Sequence, residues 1–540
     1  MAAAAGRYRR FGFTTALRMV HESACVRLKL RRVASLRRHC IWWGPGGCRR
    51  QVPAPWSPGD LTVSTALTLT QSLLLGTYAS LALGHAALQE RHRRRNIPVG
   101  VAHDQERLPD IWESLPRVDI VVPTYNEHPD VLAACLASLD GQDYKGDTRI
   151  LVVDDGSANI DALRPVYQCY AERPGWTVLR WREPVNKGKR MAQEAAIYGG
   201  RDHEALLRLD PDGAERPLVF EGTTADYVVM VDSDTVVEPD GVRWILTPFL
   251  DPDVAAVTGD VAALNQGTNR LTELIDDRYG LLFEHERAAQ SRYGLVYCCA
   301  GPFSAYRRQE IDEVWSDYVG QQFRNKLCTY GDDLQLTHLV LKRGRRSIYQ
   351  PQARAATIVP TTLKAYVRQQ WRWNRSFYRQ FRWIGPVLLR NWSAYQVFDL
   401  AARTLPSLLL AAALAVAAPD LVGLATTRLT DDLMTIGGMI VAGFAAVLLQ
   451  TRKPRFALLY GLVYLLLLLP TRIWAIFTLT DSGWGTRRRV EKAFGATALA
   501  RKRRQLATNP LGQPLASLLL VQVKGLLQLV RGLLAALGKA

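Results

Sequence analysis

Long apolar segments constrain this chain most, because each must be shielded from water by a lipid bilayer or by a large core. A helix needs about 20 apolar residues to cross a bilayer. Three segments reach or approach this length, at 61–88, 405–418 and 433–450. A fourth, 456–479, is interrupted by Pro470 and Arg472, and a Leu-rich segment at 515–537 also fits a surface helix. We therefore expect a membrane protein with a soluble domain between its spans.

The net charge of +18 is concentrated beside these apolar segments. Basic clusters lie at 1–60, 91–95, 343–346 and 487–504. Lys and Arg flanking a span mark its cytoplasmic end. A nucleic-acid-binding protein would also be basic, but it would not need the apolar segments. We expect no nucleic-acid partner.

The region between the apolar segments alternates short β-branched runs with helical patterns. Runs at 118–122, 150–153, 177–180 and 228–231 are typical of buried strands. This alternation predicts an α/β domain with a mostly parallel sheet and helices on both faces. The sequence has no G-x-G-x-x-G after the first strand and no Walker A motif, which argues against a dinucleotide-binding domain and a kinase.

Carboxylates and cations cluster at the carboxyl ends of the predicted strands, where such sheets bind ligands. They are Asp154, Asp155, Asp232 and Asp234, with Lys187, Lys189 and Arg190 in the loop after the third strand. This combination suits a nucleoside diphosphate, since Mg²⁺ or Mn²⁺ is held by few carboxylates together with phosphate oxygens. Taken alone, the Asp-Ser-Asp triplet equally fits the cap of a surface turn.

Seven motifs follow one another along the chain: PTYNE (123–127), DDGS (154–157), NKGKR (186–190), DSD (232–234), CAGPFSAYRR (299–308), GDD (331–333) and QQWRW (369–373). This ordered set resembles the processive family-2 glycosyltransferases, which include hyaluronan, chitin and cellulose synthases. With WGTR at 484–487, it is most similar to hyaluronan synthases and nodulation-type chitin-oligosaccharide synthases. Two features depart from the family pattern: Leu334 replaces the usual Arg, and 206–224 is an insert that we expect to be a surface loop.

The resemblance implies a GT-A-like fold, with a Rossmann-type, mostly parallel sheet, in a cytosolic domain joined to transmembrane and interfacial helices. It divides the chain into a basic segment (1–60), a transmembrane helix (61–88), a glycosyltransferase domain (100–360), interfacial helices (361–395), transmembrane helices (396–480) and a basic tail with an amphipathic or membrane helix (481–540).

The resemblance also implies a role for each motif residue. Asp333 would be the general base for an acceptor hydroxyl, and Asp234 would be the metal ligand. The residues that would bind the donor nucleotide and its diphosphate are Asp155, Lys187, Asp232 and Arg372. Those that would bind the acceptor sugar are Cys299, Gly301, Gln369 and Trp373.

The resemblance implies an inverting, UDP-sugar-dependent enzyme that polymerises and exports a β-linked polysaccharide. Hyaluronan, made from UDP-N-acetylglucosamine and UDP-glucuronate, is the first expectation, and a chitin-type product, made from UDP-N-acetylglucosamine alone, is the alternative. A transporter with a cytosolic regulatory domain is the alternative of another class. Because UDP-sugars are cytosolic, we expect a multi-pass plasma-membrane protein with its catalytic domain in the cytoplasm and with lipid and the growing polymer as partners.

Several residues fit simpler explanations as well. The tryptophans at 371, 373 and 383 fit aromatic anchors at a membrane interface, and Cys298 and Cys299 fit small packed residues. The charges of a helix predicted at 268–292 fit a solvated face. Arg403 and Arg472 lie in predicted spans, where a cation normally faces a protein-lined or watery path. We expect Arg472 to face the exported polymer.

Overall fold

The computed structural model describes residues 58–95, 115–183, 185–199, 206–217, 225–390, 393–421 and 429–481. The predictions for the basic N-terminal segment, the WGTR motif and the 515–537 helix lie outside these residues. The contacts described below all lie within residues 65–540.

The described strands form one ten-stranded sheet and one two-stranded ribbon. The strands are β1 Val118–Thr124, β2 Thr148–Asp154, β3 Trp176–Trp181, β4 Leu206–Leu209, β5 Glu215–Pro217, β6 Tyr227–Val231, β7 Thr235–Val237, β8 Val254–Ala263, β9 Phe303–Arg307, β10 Gln322–Phe323, β11 Lys326–Leu327 and β12 Arg346–Thr357. The order in the large sheet is β5-β4-β3-β2-β1-β6-β9-β8-β12-β7, and β10 pairs with β11.

The four strands predicted from the sequence form the parallel block β3-β2-β1-β6. Val118 is in register with Thr148 on one side and with Tyr227 on the other. Every residue of β1 is buried, as expected for a β-branched strand covered on both faces. The predicted α/β fold is confirmed, and β9, β7 and the β4–β5 hairpin add antiparallel pairs beside the parallel block.

The insert at 206–224 is not simply a surface loop, because its described part is a β-hairpin. β4 pairs antiparallel with β3, with Leu206 opposite Trp181, and extends the sheet at that edge. Glu215 on β5 accepts hydrogen bonds from Arg164 and Arg180. Leu206 and Leu209 are buried in the core. The prediction missed the hairpin because its strands are only three and four residues long.

The described helices are α1 Pro58–Arg95, α2 Pro129–Asp140, α3 Ile160–Ala171, α4 Lys189–Tyr198, α5 Gly241–Leu246, α6 Arg270–Gly280, α7 Ala288–Ser291, α8 Arg308–Asp312, α9 Trp315–Val319, α10 Asp332–Lys342, α11 Leu363–Arg390, α12 Ala394–Leu421, α13 Leu429–Thr451, α14 Pro454–Val463 and α15 Leu469–Phe477. Short 3₁₀ or π segments lie at Thr247–Leu250, Leu281–Arg287 and Tyr464–Leu468.

Three helical segments within the described residues are long and apolar enough to cross a membrane: Ala394–Ala418, Leu429–Thr451 and Pro454–Phe477. The third segment stays helical through Pro470, and a π turn at Tyr464–Leu468 lies just before this proline. Proline lacks an amide hydrogen and clashes with the carbonyl four residues earlier, and a wider turn accommodates both effects.

Helix α1 packs in parallel against α13. Gln71 Nε2 lies 2.5 Å from Asp432 Oδ1 near one end, and Gln450 Nε2 lies 2.6 Å from Gln89 Oε1 near the other. The basic residues at the end of α1 (91–95) and those directly after α13 (Arg452 and Lys453) therefore lie at the same end. There Lys453 forms an ion pair with Asp277 of the α/β domain at 2.6 Å. That 61–88 itself crosses the membrane remains a prediction.

The charges of the predicted 268–292 helix form a solvated face only in part: Arg270 and Glu273 are exposed, whereas Arg278 and Glu286 are partly buried and paired. Glu286 accepts a hydrogen bond from Arg403 Nη1 at 2.6 Å and pairs with Arg278 at 3.2 Å. Arg403 Nε also donates to Asp399 Oδ2 at 2.8 Å, and His85 Nε2 lies 2.6 Å from Asp399 Oδ1. The buried set joins the α/β domain to α1 and α12, and we call it the junction cluster: His85, Arg278, Glu286, Asp399 and Arg403.

Arg472 also has partners within the protein. Its Nε donates to Tyr378 Oη at 3.2 Å, and its Nη2 donates to the carbonyl oxygen of Arg403. Its guanidinium lies 5.7 Å from the centroid of the Phe377 ring. The predicted contact of Arg472 with an exported polymer remains untested.

Candidate active site

The loops after β1, β2 and β6 are cross-linked at the carboxyl edge of the parallel block. Asn126 has a positive φ of 51°, and its Oδ1 accepts a hydrogen bond from Ala158 N at 2.7 Å. Asn126 N donates to Ser157 Oγ at 2.8 Å. Ser233 Oγ donates to Glu127 Oε2 at 3.0 Å. The PTYNE loop thus fixes the DDGS and DSD loops relative to each other.

Asp155 organises the NKGKR loop. Its Oδ1 accepts hydrogen bonds from Trp181 Nε1 and Lys187 N, both at 2.9 Å, and its Oδ2 accepts from Asn186 Nδ2 at 3.0 Å and Gly188 N at 2.8 Å. Burial raises the pKa of the Asp155 carboxyl, although these donors act to lower it. Its oxygens therefore hold the loop, and its predicted contact with a nucleotide remains a prediction.

Lys187 lies over the ring of Trp181, with Nζ 4.2 Å from the ring centroid. This cation–π contact orients an otherwise exposed lysine. Trp181 was not predicted as a site residue, yet it contacts both Asp155 and Lys187. The predicted nucleotide contact of Lys187 remains open to test.

Asp232 and Asp234 lie in a tight turn after β6, at the strand end where they were expected. Thr235 N closes this turn on Asp232 O at 3.0 Å. Asp232 Oδ1 accepts a hydrogen bond from Lys189 Nζ at 2.6 Å, and Asp234 Oδ1 accepts one from Thr357 Oγ1 at 3.0 Å. Both carboxylates keep partial exposure. The turn therefore separates the two charges and gives them different partners.

Lys189 joins the DSD turn to the GDD motif. Its Nζ lies 2.6 Å from Asp232 Oδ1 and 3.1 Å from Asp332 Oδ2. Burial acts to lower the pKa of Lys189, but the two carboxylates raise it well above its ordinary value. Burial acts to raise the pKa of Asp332, but Lys189 and Arg190 lower it. Lys189 bridges two carboxylates, and the expectation that it lies beside a nucleotide stays a prediction.

Asp333 lies in the first turn of α10. Its Oδ1 accepts a hydrogen bond from Leu334 N at 2.8 Å, and its Oδ2 lies 3.4 Å from Gly301 N and 3.5 Å from Cys298 Sγ. Burial and the neighbouring charge of Asp332 raise the pKa of Asp333. A carboxylate with a raised pKa binds a proton more readily, which suits a general base.

Gly301 lies where three of the motifs meet. A Cβ at this position would be 3.0 Å from Lys189 Nζ and 3.5 Å from Asp232 Oδ2. Cys299, predicted to bind the acceptor, is fully buried in the core, and its amide donates to Thr337 Oγ1 at 3.0 Å. The neighbouring Cys298 is the cysteine whose sulfur reaches Asp333.

The QQWRW motif lies on α11, which packs against α10 and α15. Gln369 Oε1 is buried and makes no hydrogen bond within the described part of the chain. Arg372 is half-buried, and Trp373 is 43% exposed. Trp371 is half-buried, and its Nε1 donates to Thr478 Oγ1 at 3.0 Å.

A buried polar chain, not predicted from the sequence, links NKGKR to α10 and α11. Arg190 Nη2 donates to Gln321 Oε1 at 2.6 Å, Gln321 Nε2 donates to Gln335 Oε1 at 2.8 Å, and Gln380 Nε2 donates to the same oxygen at 2.7 Å. Buried networks of this kind are costly when broken. No motif marks these residues in the sequence: Arg190, Gln335 and Gln380 lie in three different helices, and Gln321 lies in the loop before β10.

The carboxylates suit a hard divalent cation held largely by a bound ligand. Within the described residues, no group of three or more His, Cys, Asp or Glu side chains could hold a metal by itself. Mg²⁺ and Mn²⁺ typically take one or two protein carboxylates and complete their shell with phosphate oxygens and water. The half-exposed oxygens of Asp232 and Asp234 fit this requirement.

Comparison with known proteins identifies the class to which this fold and site belong. The family model "Glycosyltransferase like family 2" matches residues 116–376. A solved mannosyltransferase from Pyrobaculum calidifontis, in complex with GDP-Man and Mn²⁺, aligns over 71% of this chain and 99% of its own, with a TM-score of 0.42 and 19% identity. That similarity is too low to carry over any property.

Curated relatives cover most of the chain and most of their own length. An N-acetylglucosaminyltransferase of Rhizobium meliloti is 38% identical over 428 residues, which are 79% of this chain and 92% of the relative. Proteins of the same name from Mesorhizobium japonicum and Bradyrhizobium diazoefficiens are 38% and 35% identical, over 70% and 78% of this chain and 84% and 81% of their own. The chain belongs to the family-2 glycosyltransferases.

Proposed function

We propose that this protein transfers N-acetylglucosamine from UDP-N-acetylglucosamine to a growing β-linked chain, as a chitin-oligosaccharide type of synthase. The observation that carries the proposal is the meeting of the DSD, GDD and CAGP motifs around Lys189 and Gly301. The name shared by the relatives supports this donor. Hyaluronan, the first expectation, would need UDP-glucuronate, for which the relatives offer no support.

In the proposed mechanism, Asp333 takes the proton from the acceptor hydroxyl as that oxygen attacks the anomeric carbon. Attack from the face opposite the leaving UDP inverts the configuration. Lys187 and Arg372 would bind the diphosphate, with Arg372 as a planar fork to phosphate oxygens. A divalent cation held through Asp234 would neutralise charge that develops on the leaving diphosphate.

The orientation of the protein in the membrane is part of the proposal. The basic ends of α1 and α13 lie together, and Lys453 at this end pairs with Asp277 of the catalytic domain. Because basic flanks mark the cytoplasmic side of a span, this arrangement supports a cytoplasmic catalytic domain in a multi-pass plasma-membrane protein. A catalytic domain on this side would have access to cytosolic UDP-sugars, and export of the product is part of the same proposal.

The test is product analysis with purified protein and labelled donors. UDP-N-acetylglucosamine alone should yield N-acetylglucosamine oligomers with release of UDP, and adding UDP-glucuronate should change neither amount nor composition. Incorporation that requires both donors would restore the hyaluronan assignment. UDP release without sugar transfer, or no turnover of either donor by folded protein, would contradict the proposal. Asp333→Asn serves as the inactive control.

A further inference from the structure

Tyr330 immediately precedes the GDD motif and has no role in the mechanism above. Its side chain is buried, and the next residue, Gly331, has a positive φ of 79°. A Cβ on Gly331 would lie 2.5 Å from Ser376 Oγ of α11. The chain is therefore confined just before Asp333, and any shift of Tyr330 would move the start of α10.

The hydroxyl of Tyr330 joins two parts of the chain that are distant in sequence. It donates to the carbonyl oxygen of Asp481 at 2.6 Å and accepts a hydrogen bond from Arg379 Nη2 at 3.1 Å. The Arg379 guanidinium also lies 4.7 Å from the centroid of the Tyr330 ring. Tyr330 thus links the GDD motif both to α11 and to the residues that follow α15.

Two buried arginines of α11 hold those residues in place. Arg379 donates to Leu479 O at 2.8 Å and to Asp481 O at 2.7 Å. Arg375 donates to Thr478 Oγ1 at 3.1 Å and to Asp481 Oδ2 at 2.8 Å. Cations are favourable beside the free carbonyls at the C-terminal end of a helix. The end of α15 is therefore fastened to α11 by charge-assisted hydrogen bonds.

We propose that Tyr330 is a positioning residue for sugar transfer, which ties the helix bearing Asp333 to the end of the last described membrane helix. The proposal rests on the proposed role of Asp333 as the base. Proton transfer requires the base within about 2.6–3.2 Å of the hydroxyl, and a displacement of about 1 Å can cost about 100-fold in rate. Donor binding depends on other loops, so it should not need Tyr330.

The test is Tyr330→Phe, which removes only the hydroxyl and keeps the ring beneath Arg379. We expect kcat to fall about 10- to 100-fold, with the donor KM and the affinity for UDP within about twofold of wild type. The matched control is Tyr144→Phe, which also removes a hydroxyl bound to a backbone carbonyl, that of Pro116 at 2.6 Å. This control should leave kcat unchanged.

A second variant, Arg379→Lys, removes the guanidinium fork while keeping the charge. If both changes act through one junction, the double variant should lose less activity than the product of the two single losses. Unchanged kcat in Tyr330→Phe, a parallel loss of UDP affinity, or fully multiplicative losses would overturn the proposal. Activity retained in Asp333→Asn would instead refute the proposed base, and the two failures are therefore distinguishable.

Discussion

The donor side and the acceptor side of the site are built in different ways. The donor side comprises the loops 123–127, 154–157, 186–190 and 232–234, together with Arg372 of α11. The acceptor side comprises 298–301, 330–333, the rest of 369–380 and 478–481. Donor-side contacts are mostly short bonds between neighbouring loops, such as the four that Asp155 accepts. Acceptor-side contacts come from long cationic side chains, such as Arg375 and Arg379, which connect helices far apart in sequence.

This difference separates what a local motif can specify from what requires the whole fold. A loop at a strand end is positioned by the sheet below it, so its residues act as a unit that a motif can describe. The helices of the acceptor side do not rest on one sheet, so each is positioned by its own contacts with the others. Lys189 is the exception that belongs to both sides, because it pairs with Asp232 and with Asp332.

The largest expected effect is on the donor side. We expect Asp234→Asn to abolish turnover and the metal-dependent part of UDP binding, because the proposed cation loses its charged ligand. UDP binding measured with and without Mn²⁺ provides the check, with Asp130→Asn, an exposed carboxylate on α2, as the matched control. Mn²⁺-dependent affinity that survives in Asp234→Asn would place the metal elsewhere.

A change on the acceptor side should spare the donor. We expect Asp333→Asn to lower kcat by at least about 100-fold, the scale of a lost general base, while UDP affinity stays nearly constant. Turnover and UDP binding should be measured on the same preparation. If donor affinity falls together with the rate, Asp333 has a structural or nucleotide-binding role and the two sides are not separable.

The junction cluster should affect stability. Arg403→Met leaves the buried carboxylates of Asp399 and Glu286 without this cation, and breaking a buried pair from one side costs about 3–5 kcal/mol. The matched control, Arg270→Met, removes an exposed pair with Glu273, worth at most about 1 kcal/mol. The midpoint of unfolding in detergent should be clearly lower for Arg403→Met than for Arg270→Met. Equal midpoints would show that the junction cluster is not stabilising.

The smallest expected effect is a shift in the pH dependence of kcat/KM in the Lys189→Gln variant. Burial and Asp332 raise the pKa of Asp333, whereas Lys189 lowers it. Removing this cation should therefore raise that pKa further, and the acidic limb of the kcat/KM profile should move to higher pH because the base acts only when ionised. Lys145→Gln, which changes an exposed lysine outside the site, should leave the limb in place. A limb that stays fixed in Lys189→Gln would indicate that another group controls it.

The sequence predicted the parallel block and the location of the loops, because β-branched runs and polar strand ends are local patterns. It failed where burial had to be known. The short strands β4 and β5 carry too few residues to show a period. The charges of 268–292 were expected to form a solvated face, but Glu286 is partly buried and pairs with Arg403.

By itself, the sequence determined the α/β class, the apolar helices and the order of the motifs. These features follow from the spacing of apolar residues and the composition of the loops, which are the same before and after the chain folds. Only the tertiary structure decided which charges pair. Lys189 could have bound a phosphate or a carboxylate, and Arg403 could have faced a channel or an acid, because a long cationic side chain reaches many partners. The partner is set by helices and strands that meet only when the chain folds, and burial then makes an unpaired alternative too costly to persist.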